Sequence, residues 1–514
     1  MRLGSALLPV LLGCAACHPL PRGAGARPLL LISFDGFRWD YDQDVDTPHL
    51  DRLAREGVKA KYLTPPFVTM TSPSHFTTIS GRWIEDHGVI HNMMFNTETL
   101  WKYSFKATQN KTEWWDNGVL PLWITAQRQG KKVASFHYPG GGAKYAGEAV
   151  QRTLVEAYTH PDSNETEWRE NIDIVLGWFA QEDFDFVTLY YGEPDNVGHR
   201  VGPETEDRRA MIRQIDRTLG YLVDAIERHG LTHRLNVIIT SDHGMTTVKK
   251  QPNVTEILLA NYIKFRDLVK FDIVDYGGFG MLLPKPGQEE ALYQALKNAH
   301  PHLHVYRKEE FPERFHFAKH ERVLPILIYA DSGYNLNGRF IIYVNKGDHG
   351  FDNALMDMKT IFRAFGPDFK KNHLAEPFDS IHIYPLMCKL LGVTPEPHNG
   401  SLAVTQGMLL DPSDQSEPEH RLSYVLIPLF WPRIPPRPFS KPRLLGLAPQ
   451  LSPAPSSSSR ASGNLSRPAF LPSRPFRPRP LSRPGASTPP AGPAKPRRAR
   501  PLAKRTSSAP PNGT

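Results

Sequence analysis

The stretch Leu29-Leu30-Leu31-Ile32-Ser33-Phe34-Asp35-Gly36 indicates the fold of this chain. Its apolar run suits a strand that is buried on both faces of a sheet, and Asp-Gly then favours a turn. Two further runs, Phe186 to Tyr191 and Asn236 to Thr240, also predict buried strands. Segments with helical periodicity alternate with such runs: Asp46 to Glu56, Asp207 to His229 and Glu289 to His300. The alternation predicts an α/β protein with helices on both faces of its sheet.

Residues that bind metals follow each of the three predicted strands. Asp35 comes directly after the first strand, Asp195 comes a few residues after the second, and Asp242-His243 follows the third. In open α/β sheets the carboxyl ends of the strands meet at the ligand crevice. His199 lies one helical turn beyond Asp195 and suits the same cation. Together with His349, these residues predict a metal centre.

Thr71 supplies a hydroxyl to this set. It stands in the stretch Phe67-Val68-Thr69-Met70-Thr71-Ser72-Pro73, where the proline predicts the start of a helix. Six potential ligands and one hydroxyl are the components of a two-metal site that makes a threonine a nucleophile.

Each motif has a simpler explanation when it is considered alone. The Asp-Gly and Asp-His-Gly sequences occur in ordinary turns, and Asp195 and His199 could be a surface pair. Thr71 could be only a helix cap. The joint pattern of three aspartates and three histidines favours the metal centre over these explanations.

The carboxyl-terminal segment differs in composition from the rest of the chain. The whole chain has 514 residues and a net charge of +8. Residues 421–514 hold 17 Lys/Arg, no Asp/Glu and 22 of the 48 prolines, which leaves 44 basic against 53 acidic residues before them. Such a segment buries too little apolar surface to offset its ordering entropy, so we predict a disordered tail over residues 413–514. A solvated appendage is favoured over binding to nucleic acid or to an acidic membrane, and we expect no nucleic-acid partner.

The amino terminus resembles a secretory signal. Arg2, the apolar run from Leu7 to Leu12 and the small residues that follow predict a signal peptide over residues 1–26. Glycosylation sequons agree with passage through the secretory route: Asn110, Asn164, Asn253, Asn399 and Asn464. Cys388 lies in an apolar run, and we expect a buried, inert thiol there.

Two common hydrolase signatures are not evident in the sequence. No Gly-x-Ser-x-Gly elbow is present, which argues against an α/β-hydrolase. No phosphate-binding P-loop is present, which argues against a P-loop NTPase.

Ordered motifs resemble the ectonucleotide pyrophosphatase/phosphodiesterase family. The similarity runs from about residue 27 to residue 410, and its motifs are Leu31 to Arg38, Thr71 with Phe76-Thr77, His87 to Asn92, Gly192 to His199, Thr240 to Met245 and His349 to Asn353. The resemblance implies an alkaline-phosphatase-like α/β/α sandwich with a mostly parallel central sheet, spanning a catalytic domain over residues 27–412.

The resemblance also implies a role for each site residue. One zinc ion would be bound by Asp195, His199 and His349. The other would be bound by Asp35, Asp242 and His243, with Thr71 touching it and attacking phosphorus. The cofactors would therefore be two Zn2+. Asn92 matches the family position whose amide contacts a phosphate oxygen, so it would bind substrate and stabilise charge.

Further details narrow the resemblance to a sphingomyelin-cleaving member of the family: Tyr41 to Pro48, Trp114 to Gly118 and Asp357 to Arg363. That member implies a phospholipase C-type phosphodiesterase that releases phosphocholine from sphingomyelin, and also acts on lysophosphatidylcholine or platelet-activating factor. The substrate would be a choline phospholipid at a membrane or micelle surface.

Tyr138 and Phe271 match positions associated with choline contact, where aromatic rings suit a quaternary ammonium. Each position has core or surface packing as an alternative. A third aromatic position of the relative aligns near Asp162, a departure that weakens the aromatic cage. A nucleotide pyrophosphatase and a catalytically silent secreted binding protein remain alternatives for the whole chain.

We expect the protein in the secretory pathway, outside the cell or at its surface. The relative is anchored to the plasma membrane, whereas the late apolar run from Tyr424 to Trp431 is too short to span a bilayer.

Overall fold

A computed structural model describes residues 26–156, 164–341 and 345–411. The predicted signal peptide and tail lie almost entirely outside these ranges, as do Asp162, Asn464 and the run from Tyr424 to Trp431, so those predictions stay predictions. Strands are numbered along the chain. Eight of the described strands form the central sheet: β1 (Leu29–Phe34), β2 (Val58–Ala60), β6 (Val133–Phe136), β9 (Arg152–Leu154), β10 (Phe186–Tyr191), β11 (Asn236–Thr240), β20 (Phe362–Phe365) and β21 (His373–Ala375).

The central sheet is mostly parallel, as predicted. Its strand order is β21-β2-β20-β11-β1-β10-β6-β9. β1 pairs in parallel with both β10 and β11, so the three predicted strands are adjacent at the centre of the sheet. β20 runs antiparallel to β11 and β2. The carboxyl ends of β1, β10 and β11 therefore meet at one edge.

Both faces of the sheet are covered, because alternate side chains of β1 enter different hydrophobic cores. Leu29 and Leu31 pack into one core, and Leu30, Ile32 and Phe34 pack into the other. A strand whose two faces are both buried reads as a continuous apolar run, which explains why β1 was recognisable in the sequence.

Helices cover both faces and complete the predicted α/β/α sandwich. The described α-helices are α1 (Pro48–Glu56), α2 (Thr71–Ser80), α3 (Ile84–His87), α4 (Phe105–Thr108), α5 (Thr112–Trp115), α6 (Leu122–Arg128), α7 (Glu165–Gln181), α8 (Asp195–Val201), α9 (Glu206–Arg228), α10 (Phe265–Leu268), α11 (Glu289–Leu296), α12 (Ile383–Leu391) and α13 (Leu402–Thr405). Buried residues of α2, α6 and α12 contribute to the core that holds Leu29. Buried residues of α7 and α9 contribute to the core that holds Leu30.

Two of the three predicted helices match closely and one was predicted too long. α1 begins at Pro48, two residues later than expected, because proline fits the first turn of a helix. α9 lies within one residue of its prediction at each end. α11 ends at Leu296 instead of His300. Asn298 adopts a positive φ of 67°, and His300 precedes Pro301, a position that disfavours helix.

A smaller sheet and several two-stranded ribbons lie outside the central sheet. The smaller sheet is antiparallel and contains β14 (Val269–Tyr276), β15 (Phe279–Pro284), β16 (Leu303–Arg307) and β17 (Ile326–Ala330). The ribbons pair β3 (Leu63–Thr64) with β22 (Phe378–Asp379), β4 (Met94–Asn96) with β5 (Trp101–Tyr103), β7 (Lys144–Tyr145) with β8 (Glu148–Ala149), β12 (Thr246–Thr247) with β19 (Gly347–Asp348), and β13 (Ile257–Leu258) with β18 (Leu336–Asn337). Within the described ranges, no helix has both the length and the apolar character needed to cross a bilayer.

Candidate metal centre

Hydrogen bonds from backbone N–H groups link the segments that follow the three central strands. The Asp195 N–H donates to the Asp35 carbonyl oxygen at 3.0 Å. The Gly36 N–H donates to Asp242 Oδ1 at 3.0 Å. Gly36 has a φ of +68°, and a Cβ at this position would lie 2.8 Å from the Asp195 Cβ. Only glycine therefore lets the turn after β1 approach Asp195 so closely.

The first ligand group consists of Asp35, Asp242 and His243, all buried. His243 Nε2 lies 3.3 Å from Asp35 Oδ1 and 3.2 Å from Asp242 Oδ2. Tyr190 donates its hydroxyl to Asp35 Oδ2 at 2.6 Å and fixes that carboxylate. Each group member follows a central strand, as the sequence pattern predicted.

The second ligand group consists of Asp195, His199 and His349. Asp195 and His199 lie one turn apart on α8, and His199 Nε2 is 3.4 Å from Asp195 Oδ2. His349 Nε2 lies 3.7 Å from Asp195 Oδ1. The ribbon of β12 and β19 brings His349 to the site, because it pairs Thr246, just after His243, with Asp348. The His243 and His349 rings stack with centroids 3.6 Å apart, so the two groups are adjacent.

The ligand atoms are arranged as they are in metal sites. Three Nδ1–H groups donate to backbone carbonyl oxygens: His199 to Gly347 at 2.9 Å, His243 to Gly244 at 2.9 Å and His349 to Thr69 at 2.8 Å. Such hydrogen bonds orient metal-binding imidazoles and leave Nε2 for the metal.

Carboxylate oxygens in both groups lack hydrogen bonds although they are buried: Asp35 Oδ1, Asp195 Oδ1 and Asp242 Oδ2. A buried carboxylate without a partner is costly, and facing acceptors repel one another. A cation bound between these carboxylate oxygens would supply the missing partner and remove the repulsion. Carboxylate oxygens and imidazole nitrogens are ligands that Zn2+ accepts, so these residues fit a divalent metal.

The pKa values reflect the same need for positive charge. Burial and the neighbouring Asp35 raise the pKa of Asp242 to about 6. Burial alone would lower the pKa of His243, but Asp242 and Asp35 outweigh burial and raise it to about 10. Burial lowers the pKa of His349 well below its ordinary value, and the nearby His243 and His199 lower it further. At neutral pH a proton on His243 therefore balances part of the negative charge of the neighbouring carboxylates.

Thr71 faces the first ligand group from the first position of α2. Its Oγ1 lies 3.4 Å from His243 Nε2. Met70 is the capping residue and makes no side-chain cap bond, so the alternative that Thr71 is only a helix cap is wrong. The hydroxyl is directed at the ligand group rather than at the backbone.

Asn92 is fixed beside Thr71. Its Oδ1 accepts the Ser72 N–H at 2.8 Å, and its Nδ2 donates to Thr71 Oγ1 at 3.4 Å. Because the oxygen is already engaged with the backbone, the amide N–H groups face the side where Thr71 would react. A donor in this position suits the stabilisation of a negatively charged oxygen.

A cavity of about 430 Å³ opens above Thr71. Its lining includes Thr71, Asn92 and residues of both ligand groups, with Phe105, Lys106 and Glu156 farther along the wall. Tyr138 and Phe271 are not among the lining residues. The Tyr138 hydroxyl donates to the His75 carbonyl oxygen at 3.1 Å, and the Phe271 ring packs 5.7 Å from that of Phe95. Both rings are buried in the core, and their contact with choline stays a prediction.

Sequence reasoning missed three polar residues that support the ligands. Tyr190 lies within the apolar run of a predicted strand, and His75 lies among serines and threonines that follow Thr71, so nothing local marks either as a supporting residue. Asp348 adjoins a predicted ligand, and its Oδ1 accepts the His349 N–H at 3.0 Å while Oδ2 accepts a hydrogen bond from Asn335 Nδ2 at 2.6 Å. Its position next to His349 is the only feature of the sequence that could have marked Asp348 as a supporting residue.

The fold and the site together define an alkaline-phosphatase-like phosphodiesterase. The parallel sheet presents two candidate metal groups at its carboxyl edge, and a threonine hydroxyl faces one of them.

Comparisons with known proteins give the family. A model of the type I phosphodiesterase/nucleotide pyrophosphatase family matches residues 29–352. Human ectonucleotide pyrophosphatase/phosphodiesterase family member 7 is 56% identical over 403 residues, which cover 78% of this chain and 88% of the human protein. The rat member 7 is 54% identical over 424 residues, which cover 82% of this chain and 96% of the rat protein. The chain therefore belongs to the ectonucleotide pyrophosphatase/phosphodiesterase family, whose members are metal-dependent.

A solved structure shows the same fold. Murine ectonucleotide pyrophosphatase/phosphodiesterase 5, as an inactive threonine-to-alanine variant in complex with AMP, superimposes with a TM-score of 0.70 at 35% identity. The match covers 75% of this chain and all of the murine chain.

Proposed function

We propose that this protein is a dizinc phosphodiesterase of the phospholipase C type that hydrolyses sphingomyelin to ceramide and phosphocholine. The observation that carries the proposal is the position of Thr71 Oγ1, at the start of α2 and 3.4 Å from His243 Nε2. A helix start directs N–H groups and a positive dipole at a bound phosphate.

The roles of the residues follow from their positions. Asp35, Asp242 and His243 would hold one zinc ion, and Asp195, His199 and His349 would hold the other. When bound, two such cations stabilise an ionised hydroxyl and the phosphoryl oxygens of an in-line displacement. Thr71 Oγ1 attacks phosphorus and the lipid alcohol leaves with a proton. Water then cleaves the phosphocholine ester of Thr71 and restores the hydroxyl, while Asn92 donates to a phosphoryl oxygen.

The choline lipid is supported by sequence resemblance and by the cavity wall. Phe105 and Glu156 line the cavity that contains Thr71. An aromatic face and a carboxylate are the groups that attract a quaternary ammonium, which cannot donate a hydrogen bond. We propose that the lipid is presented at a membrane or micelle surface outside the cell, with lysophosphatidylcholine and platelet-activating factor as further substrates.

A nucleotide is the second candidate substrate. It is favoured by the AMP complex of the murine relative, which has the same fold. The same threonine and ligand groups would serve a nucleotide phosphodiester, so the substrates differ only in what occupies the cavity beyond the phosphate.

Product analysis separates the candidates. The purified full chain is incubated with sphingomyelin in mixed micelles and, separately, with diadenosine triphosphate, and the products are identified by mass spectrometry. We expect phosphocholine and ceramide from the lipid at a much higher rate than any cleavage of the dinucleotide. Cleavage of the dinucleotide alone would contradict the lipid proposal. Absence of all turnover together with absence of bound zinc would favour a silent binding protein.

A further inference from the structure

His75 lies directly behind the proposed nucleophile. It is 1% exposed and sits four residues beyond Thr71 on α2. Its Nδ1 is 2.8 Å from the carbonyl oxygen of Thr71, so the ring donates a hydrogen bond to the first turn of its own helix. The side chain therefore holds the backbone of Thr71 from inside the protein.

The same ring also contacts the elements that supply the first ligand group. Ser33 Oγ is 2.8 Å from His75 Nε2, and Ser33 lies on β1 two residues before Asp35. His75 Nδ1 is also 3.5 Å from Asp242 Oδ2. Because Nδ1 faces two acceptors, it carries the proton, and Nε2 accepts the hydroxyl of Ser33.

Two tyrosine rings prevent the imidazole from turning. The Tyr190 ring packs edge-on at 5.3 Å, and its hydroxyl is the donor to Asp35. The Tyr138 ring also packs edge-on against His75, with ring centroids 5.0 Å apart. One buried imidazole thus joins Thr71, Asp242 and the strand that ends at Asp35.

We propose that His75 is a positioning residue that fixes the distance between Thr71 and the first ligand group. It does not line the cavity and so acts through Thr71 rather than on the substrate. The proposal rests on the function proposed for Thr71. A displacement of about 1 Å in a reacting group can lower a rate about 100-fold, so His75→Ala is expected to lower kcat by about that factor and leave KM within about twofold.

The test compares three substitutions with a matched control. His75→Asn keeps a donor at the place of Nδ1, whereas His75→Gln keeps a polar group only near Nε2. His87→Ala is the control, because His87 is also fully buried and contacts the same helix through Thr77 Oγ1 at 3.0 Å, away from Thr71. Full-length proteins are assayed for kcat and KM on a nitrophenyl phosphodiester, for bound zinc and for melting temperature.

The proposal requires a loss of kcat that stability does not explain. We expect His75→Asn to recover at least about tenfold of the kcat lost in His75→Ala, His75→Gln to recover little, and His87→Ala to melt lower with kcat nearly unchanged. Equal kcat in His75→Ala and His87→Ala would overturn the proposal, as would a kcat loss matched by the loss of one zinc ion per chain. If His75→Ala does not fold, the kcat values of His75→Asn and His75→Gln decide: a higher kcat for His75→Asn supports the proposal, and an equal or lower kcat overturns it. A zinc-loaded wild type without phosphodiesterase activity would instead overturn the proposed function, and this inference with it.

Discussion

Thr71 is the residue on which the chemistry depends, since its hydroxyl faces His243 and Asn92. Thr71→Ala should lower kcat by at least about 1,000-fold, because alanine removes the hydroxyl that lies 3.4 Å from His243 Nε2. Thr71→Ser keeps the hydroxyl and should retain a measurable part of the activity. Steady-state kinetics on a nitrophenyl phosphodiester, with zinc content as the control, measure both effects. Equal activity of the alanine and serine variants would show that Thr71 is not the nucleophile.

Cys388 was expected to be buried and inert, and the structure confirms that it is buried. Burial raises the pKa of its thiol to about 12. The thiolate is the reactive form, so the native protein should leave Cys388 unmodified by a maleimide at neutral pH. Peptide mass spectrometry should find this cysteine labelled only after denaturation. Rapid labelling of the folded protein would contradict the burial.

At the residue scale, the sequence predicted groups that follow strands and missed groups that lie within a buried strand or helix. Asp35, Asp195 and Asp242 come shortly after apolar runs, at the carboxyl ends of strands, where ligands bind in open α/β sheets. Tyr190 and His75 belong to segments that are buried throughout, and a buried aromatic or histidine looks the same in sequence whether it packs or orients a ligand. Tyr190 contacts Asp35 and His75 contacts Ser33, both remote in sequence, so only the folded chain identifies these contacts.

At the scale of elements, the turn after β1 determines where Asp195 lies. Gly36→Ala would place a methyl group 2.8 Å from the Asp195 Cβ in a residue with φ of +68°. Strain and displacement together should cost more than about 3 kcal/mol of unfolding free energy. Zinc content should also fall, because Asp195 is displaced. Urea unfolding and metal analysis measure the two effects.

Gly118 provides the control for Gly36. Its φ is +81°, and a Cβ there would meet nothing within 4 Å. Gly118→Ala should therefore cost only the left-handed conformation, about 1 to 2 kcal/mol, and leave zinc content unchanged. If both variants lose the same stability and bind the same zinc, the close approach to Asp195 is unimportant.

Elements were predictable where local signals agreed with packing. β1, β10 and β11 are buried on both faces, so their apolar runs identify them. α11 was predicted too long because its periodicity continues to His300, whereas the backbone at Asn298 turns away. The ribbon of β12 and β19 is two residues long on each side, too short to leave a pattern.

For the whole molecule, metal binding and stability should depend on pH together. The folded pKa of Asp242 is raised to about 6 and that of His243 to about 10. A raised folded pKa means that the metal-free protein is stabilised by these protons at low pH. That contribution is lost as the pH rises through 6 for Asp242 and through 10 for His243. Zinc must displace both protons, so zinc binding strengthens over the same range.

The difference in melting temperature between zinc-loaded and chelator-treated protein should therefore widen from about pH 5.5 to about pH 9. Differential scanning calorimetry at a series of pH values measures it. A His243→Ala variant is the control, because it lacks one of the titrating ligands and should show a smaller change. A difference that stays constant or narrows with rising pH would contradict proton displacement at this centre.

The ribbon of β12 and β19 has a consequence for how such a molecule can diversify. It pairs the backbone just after His243 with the backbone just before His349. The segment between these two points therefore begins and ends at the same place beside the metal centre. The smaller sheet and α11 thus belong to one inserted segment, here called the cassette, between β12 and β19. The two ends of this segment pair with each other beside the metal ligands. Insertions or deletions in loops of the cassette need not displace the ligands if they leave Gly278 in place, because its N–H donates to the His349 carbonyl oxygen at 3.3 Å. The outer loops of the cassette can therefore change while Asp242, His243 and His349 keep their positions.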